Sequence, residues 1–305
     1  YQFCNLTEVV VRAGDTEETL KEKVYLATIL GTFQATLTDF KYLRKVWQNN
    51  TEEECLLGVS LTGICDNAMM SATGPASTKD ALVELKYTAI ETNKKFAKQL
   101  GINQSTAITC VKPSGTVSQL VNSSSGIHPR YSPTYIRRVR GDKKDPLTQF
   151  MADRGVPVED CKYKPSETAV FSFPVKGGDK NALTRDRVSA IKQLELWKMY
   201  QEYWCEHKPS CTVYVKEDEW LEVGAWVYKN FDMLSGISFL PYDGGSYTQA
   251  PYEEISEEEY KELDKAMPKV IQWEQLADYE QEDNTMSSQE FACVGGVCEV
   301  VDVGS

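Results

Sequence analysis

The stretch Ser105-Thr106-Ala107-Ile108-Thr109-Cys110-Val111-Lys112-Pro113-Ser114-Gly115-Thr116-Val117-Ser118 decides the fold. Its first half, Ser105 to Cys110, is short, apolar and β-branched, and reads as a buried strand. Pro113 ends that strand. Gly115 lets backbone approach a ligand closely, and Ser114, Thr116 and Ser118 add hydroxyl groups. A helix turn starting near Thr116 would aim its free N–H groups at the same place, making an anion cradle that needs no lysine. The same spacing also fits an ordinary capped turn between strand and helix. Close behind comes Ser123-Ser124-Ser125-Gly126-Ile127-His128-Pro129.

Outward from this loop, strand and helix signals alternate. Residues 3–11 (FCNLTEVVV) and 56–62 (LLGVSLT) read as strands. Between them, Asp15-Thr16-Glu17-Glu18 reads as a capping box opening a helix with apolar Leu20, Val24, Ala27 and Leu30 and with Gln34 at helical spacing. A shorter helix starts at Asn50, and a long one runs from about Thr78 to Leu100, with Gly101 just past its end. Beyond the loop, Arg137-Arg138-Val139-Arg140 is a basic patch followed by a short helix. Strands follow at 168–175, 211–215 and 237–240, and helices at 184–204, 217–230 and 257–267. Asp243-Gly244-Gly245-Ser246 reads as a tight turn. The alternation predicts an α/β fold with mostly parallel strands, whose C-terminal ends carry the site. From about Ala277 the chain turns polar and unpatterned, and residues 281–290 read as a linker.

The chain of 305 residues can bury a sizeable core, and 41% hydrophobic with 26% charged residues is a soluble globular composition. No apolar run is long enough to span a membrane. A net charge of −12 argues against a groove for a nucleic-acid polymer, though not against a single nucleotide. The nine cysteines are odd in number and irregularly spaced, which implies reduced thiols and a cytoplasmic protein. The first residue is Tyr1, so the sequence reads as a fragment or a processed product.

Three groups of residues bear on chemistry. Cys293 and Cys298, with two glycines between them beyond the linker, suit thiol–disulfide exchange with a distant partner. They could equally be incidental on a frayed end. Cys205-Glu206-His207-Lys208-Pro209-Ser210-Cys211 superficially resembles a zinc cluster, but has no second Cys/His pair close by and reads as structural. His128 suits either general acid–base work or a backbone-bonded loop position. Cys4, taken alone, reads as a buried apolar cysteine.

Four stretches together resemble one family: Phe3-Cys4-Asn5-Leu6-Thr7-Glu8-Val9; Gly58-Val59-Ser60-Leu61-Thr62-Gly63-Ile64; Pro113 to Ser118 with Ser125-Gly126-Ile127-His128-Pro129; and the Cys293/Cys298 tail. Residues 239–247 and 250–252 are in the same style. The chain resembles the C-terminal part of an adenosylcobalamin-dependent (class II) ribonucleotide reductase, above all the monomeric triphosphate-reducing branch. The resemblance implies a ten-stranded α/β barrel of two five-stranded halves. Residues 1–276 would form the C-terminal half-barrel and 277–305 a flexible linker with a redox tail. It implies that Cys4 is one redox thiol of the active site, and that Cys293 and Cys298 re-reduce it. It places the substrate phosphates on Pro113, Ser114, Gly115, Thr116 and Ser118.

The family's radical cysteine lies in an Asn-x-Cys-x-Glu motif, which occurs nowhere in these residues. The resemblance therefore implies an N-terminal partner polypeptide carrying that motif. It further implies adenosylcobalamin as cofactor, a thioredoxin-type reductant and a ribonucleoside di- or triphosphate substrate. The iron-dependent class passes its radical through adjacent tyrosines, and none of the 16 tyrosines here has a tyrosine neighbour. Two rival readings are a non-catalytic nucleotide-binding regulatory subunit and a thiol oxidoreductase working through its tail alone.

Overall fold

A computed structural model of the chain describes residues 1–178, 182–242 and 248–280. In chain order the elements are β1 (Asn5–Val10), α1 (Glu17–Gln34), α2 (Lys45–Glu54), β2 (Leu57–Thr62), α3 (Thr78–Leu100), β3 (Thr109–Cys110), α4 (Val117–Leu120), β4 (Thr134–Asp142) and α5 (Pro146–Asp153). Then follow β5 (Val158–Asp160), β6 (Thr168–Lys176), α6 (Ala190–Tyr203), β7 (Cys211–Val215), α7 (Trp220–Lys229), β8 (Ile237–Pro241), β9 (Tyr252–Glu254) and α8 (Glu257–Ala266). The expected α/β class is the one observed. Two compact units divide the chain: Tyr1–Arg130 with Gly178–Tyr242, and Tyr131–Gly177 with Asp243–Ser305. Among the described residues no helix is long and apolar enough to cross a membrane.

The first unit is parallel. β1, β2 and β3 lie side by side, with Asn5 opposite Leu57 and Val59 opposite Thr109. β7 and β8 form a second parallel pair, Cys211 opposite Ile237. A parallel bridge between Val111 and Pro209 ties β3 to the residues leading into β7, so five parallel strands follow the order β1-β2-β3-β7-β8. β2 is buried along its whole length, as a central parallel strand should be.

Side-chain alternation divides this sheet into two faces. On one face Val9, Leu57, Val59 and Leu61 are buried in the core. Gly31 brings α1 close, since a Cβ there would lie 3.5 Å from Leu57 Cδ2 and 3.6 Å from Thr7 Cγ2. That close approach sets the helix rotation. Thr28, Gly31 and Thr32 point inward, while Leu30, expected on the apolar face, is 64% exposed. The two threonine hydroxyls donate to Val24 O and Thr28 O at 2.7 Å, so neither is orphaned. The helix cap also shifts by one residue: Thr16 is the N-cap and exchanges bonds with Thr19, while Asp15 accepts from Thr19 and pairs with Lys23. α3 spans the expected residues and closes on Gly101 at φ 69°. α6 and the residue that ends it add Trp197, Tyr200 and Trp204, all fully buried, each donating to a backbone carbonyl: Pro209 O at 2.6 Å, Met70 O at 2.9 Å and Cys110 O at 2.8 Å.

The second unit departs from the mostly parallel expectation. Its sheet has the order β5-β6-β4-β9 and every pairing is antiparallel. The basic patch Arg137-Arg138-Val139-Arg140 is part of β4, paired residue for residue with β6 from Thr134↔Lys176 to Asp142↔Thr168. Adjacent arginines hid the strand, because period-two alternation is masked when both faces carry long polar side chains. Val156, Ala169 and Phe171 form a small core there. Residues 273–280 follow α8, and Tyr279 donates to Asp153 at the end of α5 at 2.9 Å. The predicted turn at 243–246, the linker at 281–290, and Cys293 and Cys298 lie outside the described residues.

Candidate active site on one face of the parallel sheet

The sheet face opposite the helices carries Cys4, Leu6 and Glu8 from β1 and its leading residues, Gly58 and Ser60 from β2, and Cys110 from β3. Cross-strand register aligns Leu6 with Gly58, and Glu8 with Ser60 and Cys110. Cys4 is exposed, contrary to its reading as a buried apolar cysteine. Isolated residue type pointed inward, but strand alternation puts it at the exposed edge of the face opposite the helices, with Leu6, which is 42% exposed.

Gly58 makes room for the thiol. A Cβ at this position would stand 2.4 Å from Leu6 Cδ2, 3.0 Å from Cys4 Sγ and 3.6 Å from Cys110 Sγ. Crowding by its neighbours raises the Cys4 thiol's pKa, and Lys112 opposes that. Cys110 is buried, and its pKa is pushed up to about 12, first by burial and then by the nearby Cys4. It therefore stays a neutral thiol.

At the other end of the face stands the Pro113 loop. Ser114 is buried and donates through its hydroxyl to Glu8 Oε2 at 2.9 Å. Its amide donates to Ser125 Oγ at 2.9 Å, and its Oγ accepts from Ser118 N at 3.1 Å. The Ser118 hydroxyl turns back to Ser114 O. The hydroxyls of Ser114 and Ser118 thus shape the loop from within. Thr116 is exposed and stands at the N-cap position of α4 with no side-chain cap bond, and Gly115 is half-buried. Among the described residues, the amides of Gly115, Thr116 and Val117 donate to no protein acceptor. These N–H groups and the Thr116 hydroxyl are the donors left for an incoming anion. Glu8 is half-buried, and burial raises its pKa against the pull of the Ser114 bond and Lys112.

The loop rests on a buried frame. Gly126 sits at φ 54°, and a Cβ there would lie 2.9 Å from Lys112 O. Its amide donates to Thr62 Oγ1 at 2.8 Å. Arg130 grips Asp66 with Nε to Oδ1 at 2.6 Å and Nη2 to Oδ2 at 2.8 Å, and Asp66 also accepts from Ser124 N. Gly126→Ala is expected to cost about 1–3 kcal/mol of stability through backbone strain, and denaturant unfolding would read it; an unchanged midpoint would show that the loop relaxes freely.

His128 belongs to this frame. It is buried, its Nε2 accepts from Thr212 N at 2.9 Å, and Nδ1 therefore carries the proton donated to Ser125 O at 2.8 Å. Burial lowers its pKa, so it is a neutral strut between loop and β7. The Cys205–Cys211 segment sends its side chains to separate partners. Cys205 and Cys211 are buried, Glu206 accepts from Ile108 N at 2.8 Å, and His207 Nε2 donates to Leu57 O at 2.6 Å. Among the described residues no cluster of His, Cys, Asp or Glu is arranged to hold a metal ion.

Sequence reasoning missed three members of the site: Glu8, Cys110 and His207. Glu8 lay inside a quoted motif, and its place four residues after Cys4 was the available signal. His207 meets Cys4 across a separation of 203 residues, Nε2 to Sγ 3.9 Å, which no local pattern announces.

No protein-family model matches the chain. It is similar to proteins named adenosylcobalamin-dependent ribonucleoside-triphosphate reductase: 32% identical to that of Euglena gracilis over 86% of this chain and 35% of the relative. It is 31% identical to that of Lactobacillus gasseri over 86% and 38%, and 28% identical to that of Lactobacillus leichmannii over 97% and 43%. A crystal structure of a B12-dependent (class II) ribonucleotide reductase superposes with a TM-score of 0.75 at 25% identity, covering 92% of this chain and 42% of that one. The chain thus spans about two fifths of the length of the relatives it matches. By sequence and by fold, then, the chain is a homologue of the adenosylcobalamin-dependent, class II ribonucleotide reductases over that portion of their length.

Proposed function

We propose that this chain supplies the substrate-phosphate loop and one redox thiol of a class II ribonucleotide reductase. One observation carries the reading: a single sheet face bears an exposed cysteine at one end and a loop with unspent amides at the other. Cys4 and Glu8 are four strand residues apart, about 13 Å along β1, and Glu8 touches the loop through Ser114. That is the scale of a ribose with its phosphates. The five parallel strands support reading the first unit as one half of a ten-stranded barrel.

The chain's own residues divide the work. Gly115, Thr116 and Val117 receive the phosphates, and the Glu8–Ser114–Ser118 bonds hold the loop in shape. Cys4 gives one of the two electrons that leave the thiol pair when the ribose 2′ hydroxyl departs as water. It ends in a disulfide with a partner cysteine that, like the radical cysteine, lies outside these 305 residues. The Cys293/Cys298 pair and a thioredoxin-type protein restore the thiols by exchange. Adenosylcobalamin, when bound, supplies the radical. The donor set on this face is a thiol, a carboxylate and loop amides, which suits a nucleotide and not a corrin, so none of these residues is assigned to the cofactor.

Nucleotide titration of the chain and its variants tests the loop. Gly115→Val should block the close approach, and Thr116→Ala should remove a donor worth about 1.5–3 kcal/mol to a charged ligand. Equal affinity of both variants and wild type would place the phosphates elsewhere.

Glu8 gives a pH signature. Its pKa is already raised in the free protein, and a bound phosphate raises it further by like-charge repulsion. Proton uptake then accompanies binding, so affinity should rise as pH falls through the Glu8 titration. Glu8→Gln should bind roughly fivefold tighter at neutral pH, equivalent to about 1 kcal/mol of relieved repulsion, and lose that share of the pH dependence. The ligand's own titration is common to both proteins, so the difference between their profiles isolates Glu8. Parallel profiles would remove Glu8 from the site.

A further inference from the structure

We infer that His207 is a catalytic partner of Cys4, its imidazolium stabilising the Cys4 thiolate during disulfide exchange. The inference rests on the reading of Cys4 as an exchanging thiol and goes beyond it by naming the group that makes exchange workable.

The geometry is specific. His207 lies in the segment between α6 and β7, is half-buried, and presents Nε2 to Cys4 Sγ at 3.9 Å. Its Nε2 also faces Leu57 O at 2.6 Å and Ala107 O at 3.2 Å. Two carbonyls and a sulfur around one ring nitrogen keep that nitrogen protonated, which leaves Nδ1 as the position where a second proton would add. The segment is pinned to β3 by Glu206 N and His207 N, which donate to Thr109 O at 3.0 and 3.1 Å. The ring is therefore fixed beside the thiol.

Chemistry supplies the need. Crowding makes the Cys4 thiol harder to ionise, and Lys112 acts against this. The other titratable or charged groups at this corner are Cys110 and Glu8 on the same face, and Glu54, which accepts from Gln2 at 2.7 Å. Glu206 is committed to Ile108 N, and the Lys208 stem lies toward Gly236. In exchange, an attacking thiolate of a dithiol forms a new S–S bond to the sulfur partnered with Cys4. The old bond breaks, and Cys4 leaves as a thiolate with both electrons of that bond. The dithiol is oxidised as the active-site disulfide is reduced. A cation 3.9 Å away lowers the cost of that leaving charge, and solvent then protonates it.

The test is the pH dependence of Cys4 alkylation by iodoacetamide in the reduced full chain, resolved by peptide mass spectrometry. His207→Gln keeps an N–H for Leu57 O but cannot become charged. We expect about tenfold slower alkylation of Cys4 at pH 7 in this variant, since one unit of thiol pKa is tenfold in thiolate, and an inflection moved to higher pH. Identical profiles overturn the inference. Should His207→Gln misfold, His207→Asn takes its place: a Cys4 inflection moved to higher pH than in the wild type supports the pairing, and an unmoved inflection overturns it. Alkylation does not depend on ribonucleotide reduction, so a reconstituted enzyme that fails to turn over would sink the proposed function and leave this result standing.

Discussion

Cys4→Ser is expected to abolish even a single reductive turnover when the chain is combined with an N-terminal reductase polypeptide and adenosylcobalamin. Serine keeps the size of the side chain and the room provided by Gly58, but an alcohol cannot give up an electron to form a disulfide. Cys110 is the natural control. Its sulfur lies over the same glycine, yet burial holds its pKa near 12 and it stays a neutral thiol. Cys110→Ala should therefore retain the first turnover, at a modest cost in packing. The measurement is product formed per enzyme with prereduced protein and no added reductant. Product from the Cys4→Ser protein would remove Cys4 from the chemistry. Loss of product in Cys110→Ala as well, with the fold intact, would mean that the two thiols act together.

Cys293→Ser and Cys298→Ser should leave that first turnover whole and stop the second. An exposed Cys4 is open to small molecules, but under the proposed reading it lies inside a barrel once the N-terminal polypeptide is in place. A reductase protein is too large to enter there, whereas a chain segment bearing two thiols is not. Exchange runs through a mixed disulfide, so losing either tail thiol breaks the relay. With a thioredoxin-type protein as reductant, multiple turnover should fall to background in both variants. A small dithiol should restore it. Normal cycling of the tail variants with the protein reductant would make the pair incidental.

Parts of this candidate site are legible in the sequence. The Pro113 loop was found because proline, glycine and hydroxyl residues change local backbone options in ways a sequence displays. The long helix α3 was bounded by Ser77, which caps it, and by Gly101, whose left-handed conformation ends it. What the sequence hid was direction and company. The loop's serines read as phosphate donors, yet Ser114 and Ser118 spend their hydroxyls on Glu8 and on Ser114 O. Whether a hydroxyl faces a ligand or its own loop is set by packing, which spacing does not encode. Cys4 read as buried because cysteine usually is, whereas it and Leu6 are exposed at the start of β1. The antiparallel sheet of the second unit was missed because arginines on consecutive positions of β4 carry no alternation. His207 was read as a structural residue, and the contact that matters closes a loop of 203 residues.

The central claim is that this chain holds the phosphate loop and one redox thiol of a reductase whose radical cysteine lies outside these 305 residues. Deoxyribonucleotide formation from a ribonucleoside triphosphate, in the presence of adenosylcobalamin and a dithiol, tests it most directly. Three samples are compared: this chain, a family polypeptide bearing the Asn-x-Cys-x-Glu motif, and the two mixed. The account predicts product from the mixture and none from either part. Product from this chain by itself, or none from a mixture shown to form a complex, would contradict it.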